Sequence, residues 1–184
     1  MPKVKRFASP TERSIKLIGM MANKIINRDR VSQIIDGLRR EGKRIVFTNG
    51  CFDLLHVGHL RYLKQAREEG DILILGLNSD RSVRELKGEA RPLFPQDERA
   101  ELLAALSMVD YVVIFDERTP LDLIKEIRPD VLAKGGDWKV KDIVGVREVK
   151  AAGGEVVVVP QIPGKSTSNL VAQIIQKHQS YLDI

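Results

Sequence analysis

The sequence predicts an α/β fold, a doubly wound, Rossmann-like five-stranded parallel sheet, and three observations carry that prediction. Five short apolar runs rich in β-branched residues recur along the chain: RIVFTN, DILILGLN, YVVIFD, DVLAK and EVVVVP. Segments with helical periodicity separate them, at Gly58–Glu69, Pro95–Leu106, Pro120–Ile127 and Val144–Ala152, and one more follows from Ser168 to about His178. Alternation of this kind is the signature of βα units, and near-continuous apolar strands are what a sheet covered on both faces requires. Ligands of such a sheet gather at the carboxyl ends of the strands.

Ahead of the first run lie a charged, proline-containing start and two expected helices, Thr11–Ala22 and Arg30–Glu41, the second stopped by Gly42. Residues 1–42 therefore read as an N-terminal helical extension and residues 43–184 as the α/β domain. A chain of 184 residues suits one core with such an appendage.

Composition narrows the function classes. Hydrophobic residues make up 43% and charged residues 30%, the balance of an ordinary globular protein. A formal charge of +5 and a pI near 9.4 favour anionic partners, and nucleotides, sugar phosphates and nucleic acid all qualify. Aromatics at 5% leave no basic stripe interleaved with stacking rings, so a nucleic-acid-binding module is not expected. The single cysteine, Cys51, excludes an internal disulfide framework and a cysteine-rich zinc site. No run approaches the roughly 20 apolar residues of a membrane span. A cytoplasmic protein without membrane contact is expected.

Two phosphate-loop patterns fail on spacing. PGKST at Pro163–Thr167 follows a strand, but a Walker A loop needs glycine where Val159 stands, and no G-x-G-x-x-G follows any strand. The informative stretch is TNGCFDLLHVGHLRYL, Thr48 to Leu63, which holds two of the three histidines. His56 and His59 fall where the first strand's exit loop becomes the first turn of a helix. Residues three apart share a helical face, Gly58 permits close approach to the backbone, and the helix N-terminus already favours an anion. The pair reads as a phosphate site. Zinc is disfavoured, because no third ligand stands at suitable spacing.

FDLLHVGH resembles the H-x-G-H motif of the nucleotidyltransferase superfamily that includes the cytidylyltransferases. The strings TNGCFDLLHVGHLRYL, LNSDRSVRELKGEARPL, KGGDW and STSNL, in this order, are similar to the adenylyltransferase family found in bacterial ADP-heptose synthases. The resemblance spans about Lys43 to Lys177. It implies transfer of AMP from ATP to D-glycero-β-D-manno-heptose 1-phosphate, with a cytidylyltransferase for a polyol or amino-alcohol phosphate such as glycerol 3-phosphate as the alternative. It also implies Mg2+ carried mainly by the nucleotide phosphates. In that family a sugar kinase domain often precedes the transferase; here a separate kinase chain is expected, together with a homo-oligomer.

The resemblance assigns catalysis to His56, His59, Lys87 and Lys134. Lys87 is expected in the polar loop RELKGEARP, and Lys134 ends an apolar run at the ligand edge. Nucleotide contacts are expected from Thr48, Asn49, Gly50, Cys51, Phe52, Gly58, Asn78, Asp80, Arg99, Gly135, Ser166, Thr167 and Ser168. Substrate contacts are expected from Asp53, Arg91, Asp137 and Trp138. Direct displacement asks for no thiolate, so Cys51 is expected to pack rather than react.

Overall fold

The structure, a computed structural model, describes residues 23–136, 138–160 and 167–178; the helix expected at Thr11–Ala22 and the turn around Ser166 lie outside them. In chain order the described elements are β1 (Ile25–Ile26), α1 (Val31–Arg40), β2 (Ile45–Gly50), α2 (Val57–Glu68), β3 (Ile72–Asn78), α3 (Asp80–Lys87), α4 (Gln96–Ala104), β4 (Tyr111–Phe115), α5 (Leu121–Ile127), β5 (Val131–Gly135), α6 (Val146–Ala151), β6 (Glu155–Val159) and α7 (Thr167–His178).

The strands form one parallel sheet in the order β1-β4-β3-β2-β5-β6. It has six strands where the sequence predicts five. The additional strand, β1, is two residues long and pairs Ile25 with Val112, too short to leave a periodic signal. Lys24 anchors it by donating Nζ to the carbonyls of Leu106 and Val109 at 3.2 and 2.8 Å.

Alternation of side chains across the strands divides the core in two. Ile45, Phe47, Ile74, Val113 and Leu132 face one layer, built with Ile35 of α1, Ile124 of α5 and Val149 of α6. Val46, Leu73, Leu75, Leu77 and Val112 face the other, with Leu63 of α2 and Leu103 of α4. Residues 25–40, part of the extension in the sequence reading, thus contribute both a strand and core side chains. Val31, Ile35 and Leu38 recur at helical spacing on the buried face of α1.

The amino edge of the sheet is sewn by one device used three times. Asp71, Asp110 and Asp130 each stand just before a strand and accept a backbone N–H from the neighbouring strand: Arg44 at 2.8 Å, Leu73 at 2.8 Å and Ile45 at 2.7 Å. Donors that the ladder leaves over are satisfied there. The carboxyl edge has no such closure between β2 and β5. Their ladder pairs Val46 with Val131 and Phe47 with Leu132 and then stops, whereas β2 stays paired with β3 from Ile45 to Gly50. Strand order reverses at this same boundary, with β3 and β4 on one side of β2 and β5 and β6 on the other, so the gap is the topological switch point.

No helix among the described residues is long and apolar enough to cross a membrane.

Because Ile35 is 3% exposed within the layer under β2, Ile35→Ala is expected to destabilise the whole fold by about 2–5 kcal/mol. Urea unfolding checks this. An unchanged midpoint would mean that α1 is an attachment rather than part of the core.

Candidate active site

The loop from β2 to α2 is built around one strained residue. Phe52 has φ of +44°, a left-handed conformation that costs a bulky residue about 1–3 kcal/mol and survives only where its surroundings impose it. They do so here. The ring lies against Gly50, where an added Cβ would come within 2.9 Å of Cε2, and tilts against His59 with centroids 5.1 Å apart. A glycine at position 50 is what lets the loop fold back upon β2.

His56 is the N-cap of α2, and its Nδ1 accepts from the Gly58 N–H at 3.1 Å. That bond fixes the tautomer: in the neutral ring the proton sits on Nε2, which becomes the donor. Gly58 spends its N–H on this cap. His59 stacks on His56 with centroids 3.9 Å apart and planes 20° from parallel. Burial, and then the neighbouring His56, lower the His59 pKa to about 4, with the Leu54 backbone pulling weakly the other way. Its Nδ1 is buried and makes no hydrogen bond. At neutral pH His59 is an uncharged imidazole.

Across the gap, Lys134 at the end of β5 donates Nζ to Asn49 of β2, at 3.1 Å to Oδ1 and 3.5 Å to the carbonyl. The ammonium lies 5.8 Å from the centre of the Trp138 ring, which is half exposed. Burial lowers the Lys134 pKa, partly offset by Cys51. A cation short of hydration, held by an amide rather than by a carboxylate, is poised to take an anion. Tyr62 of α2 reaches the same place: its hydroxyl donates to the Ala133 carbonyl at 3.1 Å and is bonded to the buried Thr48 hydroxyl.

Cys51 sits among these groups. Burial pushes its thiol up, while Lys87 and Arg99 are the strongest of the charges pulling it down. The net rise keeps the sulfur protonated at neutral pH, unsuited to nucleophilic attack.

Asp53 and Arg91 come together as an ion pair, Arg91 being one-fifth exposed and Asp53 buried. The Asp53 carboxylate also accepts the N–H groups of Leu93 and Phe94 at 2.6 and 3.1 Å. Its acceptor capacity therefore goes into pinning the loop before α4 to the loop that leads into α2.

Lys87, Arg99, Asn78 and Asp80 have surroundings that the sequence reading did not anticipate. Lys87 is not in a loop: it is the exposed last residue of α3, whose N-cap Ser79 accepts from Ser82 N–H. Only Val83 is a buried hydrophobic residue in this polar helix, so its sequence reads as a connection. Arg99, expected on a nucleotide phosphate, is fully buried. It donates to the carbonyls of Phe94 at 2.9 Å, Cys51 at 2.6 Å and Asn78 at 3.0 Å, and pairs with Asp80 at 2.7 Å. Carbonyls where β2 and β3 run out need donors, and a guanidinium supplies several in one plane. Asn78 likewise turns inward, donating Nδ2 to Ser82 Oγ at 2.9 Å. Arg99, Asp80 and Asn78 brace the ends of β2 and β3.

Gly135 is flush with the Tyr62 ring. Thr167 and Ser168 open α7, with no described bond to the residues above. Asp137 and Ser166 lie outside the described residues. The functional geometry that sequence reasoning missed is Tyr62, which reads as an ordinary aromatic of an amphipathic helix. Its hydroxyl, four positions after Gly58, was the only signal.

The site thus places two stacked imidazoles at the N-terminus of α2, a strained loop between β2 and that helix, and a dehydrated lysine across the gap from Asn49, all at the carboxyl edge where strand order reverses. Residues 47–179 match the cytidylyltransferase-like family, and the chain belongs to it. Among curated proteins it is 54% identical over 156 residues to the bifunctional protein HldE of Pelobacter propionicus, covering 85% of this chain and 32% of that one. The chain spans about a third of the length of such relatives. A lipopolysaccharide core biosynthesis protein of Thermoplasma volcanium superposes with a TM-score of 0.55 at 29% identity, over 66% of this chain and 98% of that one. The pantoate-beta-alanine ligase of Francisella tularensis shares the fold, with a TM-score of 0.56 at 16% identity, over 78% and 68% of the two chains.

The His59 pKa carries a stability consequence. The unfolded imidazole takes up its proton near pH 6.5, whereas the folded one stays neutral down to about pH 4. Between those values the unfolded chain binds more protons, so stability falls as pH falls. Urea midpoints measured from pH 7 to 4.5 are expected to decline less steeply in His59→Asn than in the parent protein. Parallel curves would contradict the buried neutral state.

Proposed function

We propose that this chain is an ATP-dependent nucleotidyltransferase that converts D-glycero-β-D-manno-heptose 1-phosphate and ATP into ADP-heptose and pyrophosphate, for lipopolysaccharide core synthesis in the cytoplasm. The observation that carries the reading is the stacked His56–His59 pair at the N-terminus of α2, the helix that follows β2, together with Lys134 reaching Asn49 of β2 across the switch-point gap. Heptose rather than another acceptor is supported by the four sequence strings quoted above and by 54% identity to HldE over 85% of this chain.

In this reading an oxygen of the sugar phosphate attacks the α-phosphorus of ATP, and the bond to the β-phosphate oxygen breaks, releasing pyrophosphate. No enzyme nucleophile is needed, in keeping with a thiol held protonated at Cys51. The protein supplies position and charge. His56, with its tautomer set by the Gly58 N–H, donates from Nε2 as negative charge builds. His59 enters neutral, and an anionic phosphate beside it draws its pKa upward from about 4. Lys134 exchanges its weak hold on Asn49 for a phosphate oxygen, and Lys87 adds positive potential from the end of α3.

Among the described residues, no group of three or more His, Cys, Asp or Glu converges to hold a metal ion, and Asp53 is committed to Arg91 and two backbone donors. The described residues thus do not form a cage for magnesium, which in this reading arrives on the nucleotide phosphates. A kinase supplying the sugar 1-phosphate and self-association belong to the same proposal.

The test is pyrophosphate release across ATP, CTP, GTP and UTP against heptose 1-phosphate, glycerol 3-phosphate and ethanolamine phosphate. Turnover is expected with ATP and heptose 1-phosphate, and His59→Ala should lower it about a hundredfold. Preference for CTP with glycerol 3-phosphate would replace the heptose reading. Near-parental turnover in His59→Ala would remove the histidines from catalysis.

A further inference from the structure

β2 and β5 both continue past the end of their shared ladder, to Gly50 and Gly135. In a regular parallel pair, Thr48 would lie opposite Ala133 and Asn49 opposite Lys134, extending the register of Phe47 with Leu132. The phenol of Tyr62 enters that space instead. Its hydroxyl donates to the Ala133 carbonyl at 3.1 Å and lies by the Gly135 backbone N–H. A carbonyl one residue before Lys134 and an N–H one residue after it are the two groups that a partner opposite Lys134 satisfies in a parallel ladder. One side-chain hydroxyl therefore stands where the Asn49 backbone would otherwise be.

The arrangement is determined on every side. Because the phenol gives its proton to Ala133, the Thr48 hydroxyl must donate to the phenol oxygen, tying α2 to β2 as well as to β5. The ring fits because residue 135 is glycine; an added Cβ would come within 3.1 Å of Cδ2 and Cε2. Burial pushes the Tyr62 pKa up to about 12, so the hydroxyl keeps its proton at any pH where the protein works. Released from the ladder, Asn49 turns its carbonyl and Oδ1 to Lys134.

We propose that Tyr62 is a positioning residue, a substitute rung that holds β2 and β5 apart at their carboxyl ends and sets the spacing between Asn49 and Lys134 across which the phosphates are bound. The inference rests on the nucleotidyltransferase reading for its catalytic consequence, but its structural content stands apart from that reading.

Tyr62→Phe keeps the ring and removes the rung. Turnover is expected to fall about tenfold to a hundredfold, the scale of a misplaced catalytic group. In a Lys134→Ala background the same change should cost less than twofold, because the residue it positions is gone. The independent readout is the Lys134 pKa followed by carbon NMR of lysine-labelled protein. It is lowered by burial in the parent and should move back toward the ordinary lysine value once the strands can shift and admit water. Equal losses in both backgrounds, with the Lys134 pKa unmoved in folded Tyr62→Phe, would overturn the proposal. If the parent turns over no triphosphate, the function reading fails while the NMR measurement still decides the role of Tyr62. If Tyr62→Phe does not fold, Thr48→Val, which removes one of the rung's partners, should move the Lys134 pKa in the same direction by less; no movement there would likewise count against it.

Discussion

The site depends on β2 parting from one neighbour while keeping the other. Its ladder with β3 runs the full length of the strand, and its ladder with β5 ends after Phe47. A sheet paired throughout would present a closed carboxyl edge, with the Lys134 ammonium and the Asn49 carbonyl drawn into a regular register. Since the amino edge is sewn by Asp71, Asp110 and Asp130, the strands can separate only at the other end. The opening therefore falls at the switch point, where an open α/β sheet collects its ligands.

Electrostatics at this opening are set more by dehydration than by net charge. The chain carries +5, but the polarity of the site comes from a few groups. Burial lowers the pKa of His59 and of Lys134, so each gains when a phosphate arrives to stabilise its charged form. The guanidinium of Arg99, by contrast, is spent on Asp80 and three carbonyls. Breaking such a buried set costs far more than the pair contributes on its own, which makes Arg99 a brace for the strand ends and for the strained loop at Phe52. Asp53 braces the same loop through Arg91, Leu93 and Phe94.

Much of this was legible in the sequence, for reasons that also explain what was not. The five long strands declared themselves because each is continuously apolar, as a sheet covered on both faces demands. The histidine pair and Lys134 stood out because they are chemistry-bearing residues at strand ends. Lys87 read as part of the loop RELKGEARP because the short helix it ends, with only Val83 as a buried hydrophobic, has little periodicity to show, and β1 was missed because two residues carry no pattern. The surroundings of Arg99 and the placement of Tyr62 were not legible for a common reason. Their roles lie in which carbonyls the tertiary fold leaves unpaired, and spacing along the chain does not encode that.

One alternative location for a ligand exists at the opposite edge, a surface pocket of about 610 Å³ lined by Ser32, Asp36, Arg39, Lys125, Glu126, Arg128, Asp130 and Gly153 among others. It holds as many carboxylates as cations, and Arg39 is already bonded to the Ile127 carbonyl at 3.2 Å, so it concentrates little positive potential for a polyphosphate. Backbone amide shifts in a nitrogen-labelled sample titrated with ATP and magnesium separate the two places directly. The account predicts the large shifts between Asn49 and His59 and around Lys134 to Trp138. Shifts centred on Ser32, Arg39, Arg128 and Gly153, with the carboxyl edge unmoved, would contradict it.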